Sequence, residues 1–264
     1  MRRLLYIIGI LGLMSCTKEI SIDYHSHDTR YVVEGTINND GTEIRVSTTN
    51  AMEDNTTGSD VDNATVTITG DDGTTATIPF ESNGYYRLKF AGVAGTVYKL
   101  DVEVDGQHFT STSTMQSRPK KNSFRFVWKK MLTERYLFGD LRLQDIPNES
   151  NWYFMHIYRN GVGYRWAVMK DDKNPNKELQ QLFSFFRDGQ KDNDVLQDGD
   201  ELKIVIRAID QRAYDYLYSM QQMSSTATNP IDNFTGGCLG YFSAHSEIVD
   251  YKDFYYSDVT EDDE

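Results

Sequence analysis

Between residues 98 and 104 every second side chain is apolar: Tyr98, Leu100, Val102 and Val104 alternate with Lys99, Asp101 and Glu103. A period of two sends alternate side chains to opposite faces of an extended chain, so this segment buries one face and wets the other only as a β-strand. The alternation recurs along residues 31–37, 43–49, 64–69, 74–80, 85–90, 96–104 and 107–115. In the gaps stand Asn39-Asp40-Gly41, Asp71-Asp72-Gly73, Asn83-Gly84 and Asp105-Gly106, the residue types that tight hairpin turns require. Seven short strands at this spacing predict an immunoglobulin-like antiparallel β-sandwich over residues 30–117.

The chain has 264 residues, more than one ordinary domain needs, so a second unit is expected. Arg118-Pro119-Lys120-Lys121 lies in a polar stretch that suits the boundary. Beyond it, residues 118–257 predict a second antiparallel β-domain with larger, more aromatic strands: one around Phe124, Phe126 and Trp128, then 136–143, 152–158, 164–169, 179–186 and 202–209. One helix is predicted near 211–223, capped by Asp210, with Ala213, Tyr216, Leu217, Met220 and Met223 on one stripe. Asn229-Pro230 ends it, and two closing strands at 239–244 and 247–254 stay with this second domain. The acidic tail at 258–264 is expected to lack order.

The first 16 residues read differently. Arg2 and Arg3 precede an apolar run at residues 4–13, about half the roughly 20 residues that a bilayer-spanning helix needs, so the run reads as the core of a signal peptide at 1–15. Leu13-Met14-Ser15-Cys16 resembles a bacterial lipobox, in which the Cys thiol takes a diacylglycerol and becomes the acylated amino terminus. Cys16 is therefore the expected lipid-attachment residue, with palmitate among the acyl chains and residues 16–29 as a tether. Removing Arg2 and Arg3 takes 27 bases to 25 against 40 acids, a net charge of −15 where the whole chain has −13. So acidic a surface repels nucleic acid and anionic head groups, which leaves the covalent lipid as the expected membrane contact. With Cys16 acylated, the second of the two cysteines, Cys238, has no disulfide partner and reads as a small buried hydrophobe.

Tyr31-Val32-Val33-Glu34-Gly35, Gly84-Tyr85-Tyr86, Gly95-Thr96-Val97-Tyr98-Lys99-Leu100 and above all Asn229-Pro230 followed by Gly236-Gly237-Cys238-Leu239-Gly240-Tyr241-Phe242-Ser243-Ala244 resemble the Bacteroidota lipoproteins gathered as domain of unknown function number 4249. The resemblance covers nearly the whole chain after Cys16. It implies a two-part, β-rich outer-membrane lipoprotein, often encoded near TonB-dependent transporters, and it implies no catalytic residues. From the residues alone, Gly236, Gly237 and Gly240 allow positive φ or close backbone approach, so the closing motif reads as a strand packed tightly against the helix.

Candidate chemistry is sparse. Asp192-Asn193-Asp194 with Asp198-Gly199-Asp200-Glu201 offers oxygens for calcium but misses the spacing of an EF-hand loop, and a solvated turn accounts for it. His25 and His27 stand two apart in the tether, a spacing open to a metal pair or to plain exposure. No Gly-x-Ser-x-Gly elbow or His-Glu-x-x-His helix accompanies the five histidines, and no cofactor is implied. Trp128, Trp152 and Trp166, with Tyr136, Tyr153 and Tyr164, offer either a stacking surface for sugars or peptides or ordinary core filling. The expectation is a non-enzymatic, membrane-anchored binding or accessory component, working with a TonB-dependent nutrient transporter. A structural or adhesive envelope protein is the alternative, and an unrecognised hydrolase the third reading.

Overall fold

The structure, a computed structural model, describes residues 29–50, 58–146, 149–171, 178–226 and 229–262; Cys16, the signal segment, and His25 and His27 lie outside them. The first unit contains β1 (Tyr31–Ile37), β2 (Thr42–Thr48), β3 (Thr65–Gly70), β4 (Thr75–Ile78), β5 (Phe80–Ser82), β6 (Tyr85–Leu88), β7 (Val97–Val104) and β8 (Gln107–Thr114). Their sheet orders are β1-β2-β6-β5 and β4-β3-β7-β8. Lettered along the chain with β4 as an added strand, these are the A-B-E-D and C-F-G sheets of an immunoglobulin-like sandwich, extended by one strand beside C. Tyr98, Leu100, Val102 and Val104 all face the core, where they meet Val33, Ile44, Val66 and Phe242.

Residues 74–80 form not one strand but two, in opposite sheets. Pro79 separates them: it has no N–H for a ladder, so β4 ends on the β3 side at Ile78 and the chain crosses to pair Phe80 with Tyr86 of β6.

The second unit is another sandwich, built from β9 (Lys121–Met131), β10 (Glu134–Gln144), β11 (Trp152–Arg159), β12 (Val162–Lys170), β13 (Glu178–Arg187), β14 (Glu201–Ile209), the helix α1 (Gln211–Thr226), β15 (Leu239–Ala244), β16 (Ser246–Asp253) and β17 (Thr260–Glu261). Sheet order is β13-β10-β9-β17 on one side and β12-β11-β14-β16 on the other. Phe126, Leu141, Met155, Ile206 and Phe254 fill the space between, with Phe126 edge-on to Phe254 at 4.9 Å. Each such side chain contributes about 1.5–3 kcal/mol by leaving water.

β15 does not stay with the second unit, where its place in the chain puts it. It pairs in parallel with β1, Val32 opposite Leu239 through Ile37 opposite Ala244, and so becomes the outer strand of the first sandwich. The segment that leads back from α1 is pinned by Asn233, whose side-chain oxygen accepts from Ser111 Oγ of β8 at 2.7 Å and from the Phe242 N–H at 2.9 Å. Glycine is obligatory along this path. Gly236 and Gly240 have φ near +92° and +104°, and a Cβ on them would lie 2.2 Å from the His108 carbonyl oxygen and 2.0 Å from that of Val33. The closing motif is thus packed tightly, mainly against β1 and β8; it also meets the helix, where Tyr241 stacks on Tyr216 at 5.1 Å and packs against the cluster of Ala213 and Leu217.

The acidic tail is ordered through Asp262. Thr260 and Glu261 form β17, parallel to β9, because bases stand opposite the acids: Arg135 meets Glu261 at 2.9 Å and Lys129 meets Asp262. Among the described residues no helix is long and apolar enough to cross a bilayer.

Candidate functional site

The junction of the two sandwiches is built from polar groups that are each satisfied. Asp210 caps α1 by accepting from the Ala213 N–H at 2.9 Å, as its position before the helix predicts, and its other oxygen accepts from the Thr114 N–H of β8, also at 2.9 Å. One carboxylate therefore holds the helix start and the end of the first sandwich together. Beside it, buried His245 sits between Ser243 Oγ at 3.1 Å and Glu247 at 3.5 Å, and Glu247 also accepts from Arg207 at 3.0 Å and from Asn38 at 3.4 Å. Burial pushes the His245 pKa down, so the ring is neutral, while the hydrogen bond from His245 and the Arg207 charge bring Glu247 down to about 2.

Above this junction lies the outer face of the β12-β11-β14-β16 sheet. Register gives its rows: Trp166, His156, Val205 and Val249 across one, and Gly163, Tyr158, Lys203 and Tyr251 across the next. His156 stacks on Tyr158 at 4.1 Å, and Lys203 Nζ lies 5.6 Å from the Tyr158 ring centre. Gly163 leaves the space that His156 occupies, since a Cβ there would be 3.1 Å from the imidazole. Only the outer members of these rows are open to solvent: Trp166 is 37%, Val249 44% and Tyr251 60% exposed, whereas Val205 between them is buried and His156 and Tyr158 are half-buried.

The next rows lie under α1. Phe154, Ile209, Ala213 and Leu217 form a small cluster with Trp152, Val168 and Tyr214 against it. The stripe read from the sequence is followed only for its first two turns; Met220 and Met223 continue past the sheet and are 39% and 40% exposed.

A pocket of about 430 Å³ opens where α1 begins, lined by Trp152 and Lys170 from the sheet, by Ser150 and Asp171 beside it, and by Gln211, Tyr214 and Asp215 from the helix. Burial raises the Asp215 pKa, against the opposing pull of the nearby Lys170 charge. A smaller pocket of about 200 Å³ lies on the first sandwich between Glu34, Arg45, Tyr85 and Tyr241.

The three tryptophans do not form one surface. Trp128 faces the core of the second sandwich, edge-on to Phe186, with the Arg135 guanidinium over its ring at 4.5 Å. Trp152 lines the α1 pocket, and Trp166 stands on the open face. Tyr153 is buried in the core, Tyr164 stacks on Phe185 at 5.5 Å, and Tyr136 bonds Glu134 on the other sheet. What the sequence reading missed is His156, Tyr158 and Tyr251; strand register was the signal, because these residues share a face with Trp166 only once β11, β12, β14 and β16 are paired.

The acid-rich loop before β14 is occupied by protein partners. Asp200 accepts from Arg159 at 2.7 Å, from Asn160 at 2.7 Å and from the Gln197 N–H at 2.7 Å, Asp194 pairs with Arg165, and Asp198 accepts from the Tyr256 N–H. Cys238 is buried, which pushes its thiol up to about 12 and leaves it un-ionised.

The sequence matches the family described as "Domain of unknown function (DUF4249)" over residues 17–248. No curated protein matches it. Among solved structures, a segment of two fibronectin type-III domains from chicken tenascin aligns with 86% of this chain and 100% of that chain, at 13% identity and a TM-score of 0.25.

Proposed function

The chain belongs to the DUF4249 family, and from that membership and the lipobox-like Cys16 we propose that it is a non-enzymatic binding component of the bacterial cell envelope, held to the outer membrane by lipid on Cys16. In this reading it captures a nutrient for a TonB-dependent transporter, and its tether keeps two rigidly joined sandwiches clear of the bilayer. The observation that carries the binding role is the pair of exposed rings Trp166 and Tyr251, with half-buried His156 and Tyr158 between them, on the sheet face beside the pocket at α1. Aromatic rings on a rigid sheet give large contact area at small ordering cost. The adhesive alternative has less support, because two of the four sheet edges of the first sandwich are the short strands β4 and β5, and a third, β8, is bridged at Thr110 by Thr235.

The test is in cells. A fatty-acid probe labels the wild-type protein and not Cys16→Ala, and the detergent-solubilised wild type co-purifies with a transporter. Unlabelled wild-type protein would remove the anchor, and labelled protein that brings down no transporter would remove the accessory role.

A further inference from the structure

We propose that the pocket between the start of α1 and the ends of β11 and β12 is a saccharide-binding site, with Trp152 as the stacking surface and Gln211 and Asp215 as hydroxyl partners. The inference deepens the capture reading, and rests on it, by giving the nutrient a chemical class.

Three observations converge on this ligand. The first is size: about 430 Å³ falls within the roughly 300–1,000 Å³ of small-molecule pockets. The second is the mixture of groups around one indole. Lys170 donates only, Asp171 and Asp215 as carboxylates accept only, and Gln211 and Ser150 do both. An anion would meet two carboxylates, and a cation would meet Lys170. A neutral polyhydroxylated ring answers every group at once, its hydroxyls serving both donors and acceptors and its C–H face lying on Trp152.

The third is continuity. Tyr214 stacks on Tyr218 one helical turn further along, with ring centres 5.6 Å apart, and Tyr218 is an exposed aromatic. On the sheet side, Lys170, Val168 and Trp166 alternate outward along β12, Val168 packing against the cluster under α1 and Trp166 standing exposed beyond it, so exposed rings flank the pocket on both the helix and the sheet. Asp215 stays close to the pocket rim as a carboxylate above its raised pKa, so affinity falls on acidification sooner than an ordinary aspartate would dictate.

The experiment is titration of the detergent-solubilised full chain with maltohexaose, cellohexaose, xylohexaose and chitohexaose, read by tryptophan fluorescence and calorimetry. At least one is expected to bind with a Kd on the order of 0.1–1 mM. Asp215→Asn and Gln211→Ala are each expected to weaken it about tenfold with the fold intact by circular dichroism, and Met223→Ala to leave it unchanged. Trp152→Ala is expected to abolish it; should that variant unfold, the two polar substitutions decide. No binding of any of the four by the folded wild type, or equal affinity in Asp215→Asn and Gln211→Ala, overturns the proposal, as does tighter binding of spermidine than of every saccharide. None of these readouts depends on Cys16, so loss of the lipid label and loss of saccharide affinity remain separate results.

Discussion

A methyl group on Gly240 would lie 2.0 Å from the Val33 carbonyl oxygen, in a backbone held at a φ of +104°. Neither problem has a cheap relaxation, because the obstacle is the backbone of β1 itself. Gly240→Ala is therefore expected to cost on the order of 3 kcal/mol, read as a lowered denaturant midpoint, whereas Gly73→Ala, with open space around it, costs only its strained φ. His245 gives a pH prediction. Its pKa, ordinarily 6.5, is lowered in the fold by burial, so below about 6.5 the unfolded chain binds a proton that the folded chain refuses. Stability then falls with falling pH, by up to about 1.4 kcal/mol per pH unit. Glu247, lowered from 4.5 to about 2, loses its contribution only as pH falls from 4.5 toward 2, so the interval from about 7 to about 5 reports the histidines, His245 together with His156, which burial lowers in the same direction. Denaturant midpoints across that interval are expected to drop in the wild type and to drop less in His245→Gln, the remaining slope being that of His156. At this scale the sequence disclosed Cys238 as a buried thiol and Asp210 as a cap. It did not disclose which tryptophan faces out, since Trp128 and Trp166 both lie in alternating aromatic runs and only the position of the opposing sheet separates them.

Most elements were legible because their signals are local. β7 and β8 follow directly from period-two alternation and the Asp105-Gly106 turn, and α1 starts where Asp210 ends the strand run. The split of residues 74–80 into β4 and β5 carried a visible sign in Pro79, whose missing N–H rules out a continuous central strand. The length of the apolar stripe on α1 was over-read: periodicity reports which residues share a face, not how far the supporting sheet extends. Asp210→Ala tests the cap and the joint together. It removes the partner of Ala213 N–H and of Thr114 N–H, and is expected to destabilise the protein by about 2 kcal/mol, with faster amide exchange both in the first turn of α1 and at the end of β8. A cap acting on the helix alone would leave β8 unchanged.

For the whole molecule, a first immunoglobulin-like sandwich and a second antiparallel β-domain could be read from composition and turn spacing, but neither the second sandwich as such nor the exchange of β15 could. Parallel pairing of β15 with β1 joins residues such as Val32 and Leu239 from the two ends of the chain, and no local pattern in either strand specifies its partner. A chain ending before residue 229 keeps all eight strands of the first sandwich yet loses Phe234, Phe242 and Ala244 from its core. Such a truncation is expected to be cut by protease within residues 31–115 under conditions in which the full chain is resistant, and intact resistance there would show that the first sandwich closes without β15.

Because β15 finishes the first sheet, the polypeptide emerges with the partner of β1 still roughly 200 residues behind it. Until residues 239–244 are made, β1 keeps an open edge that a neighbouring chain can pair with, so the interval between the two strands is the one in which mispairing is costliest.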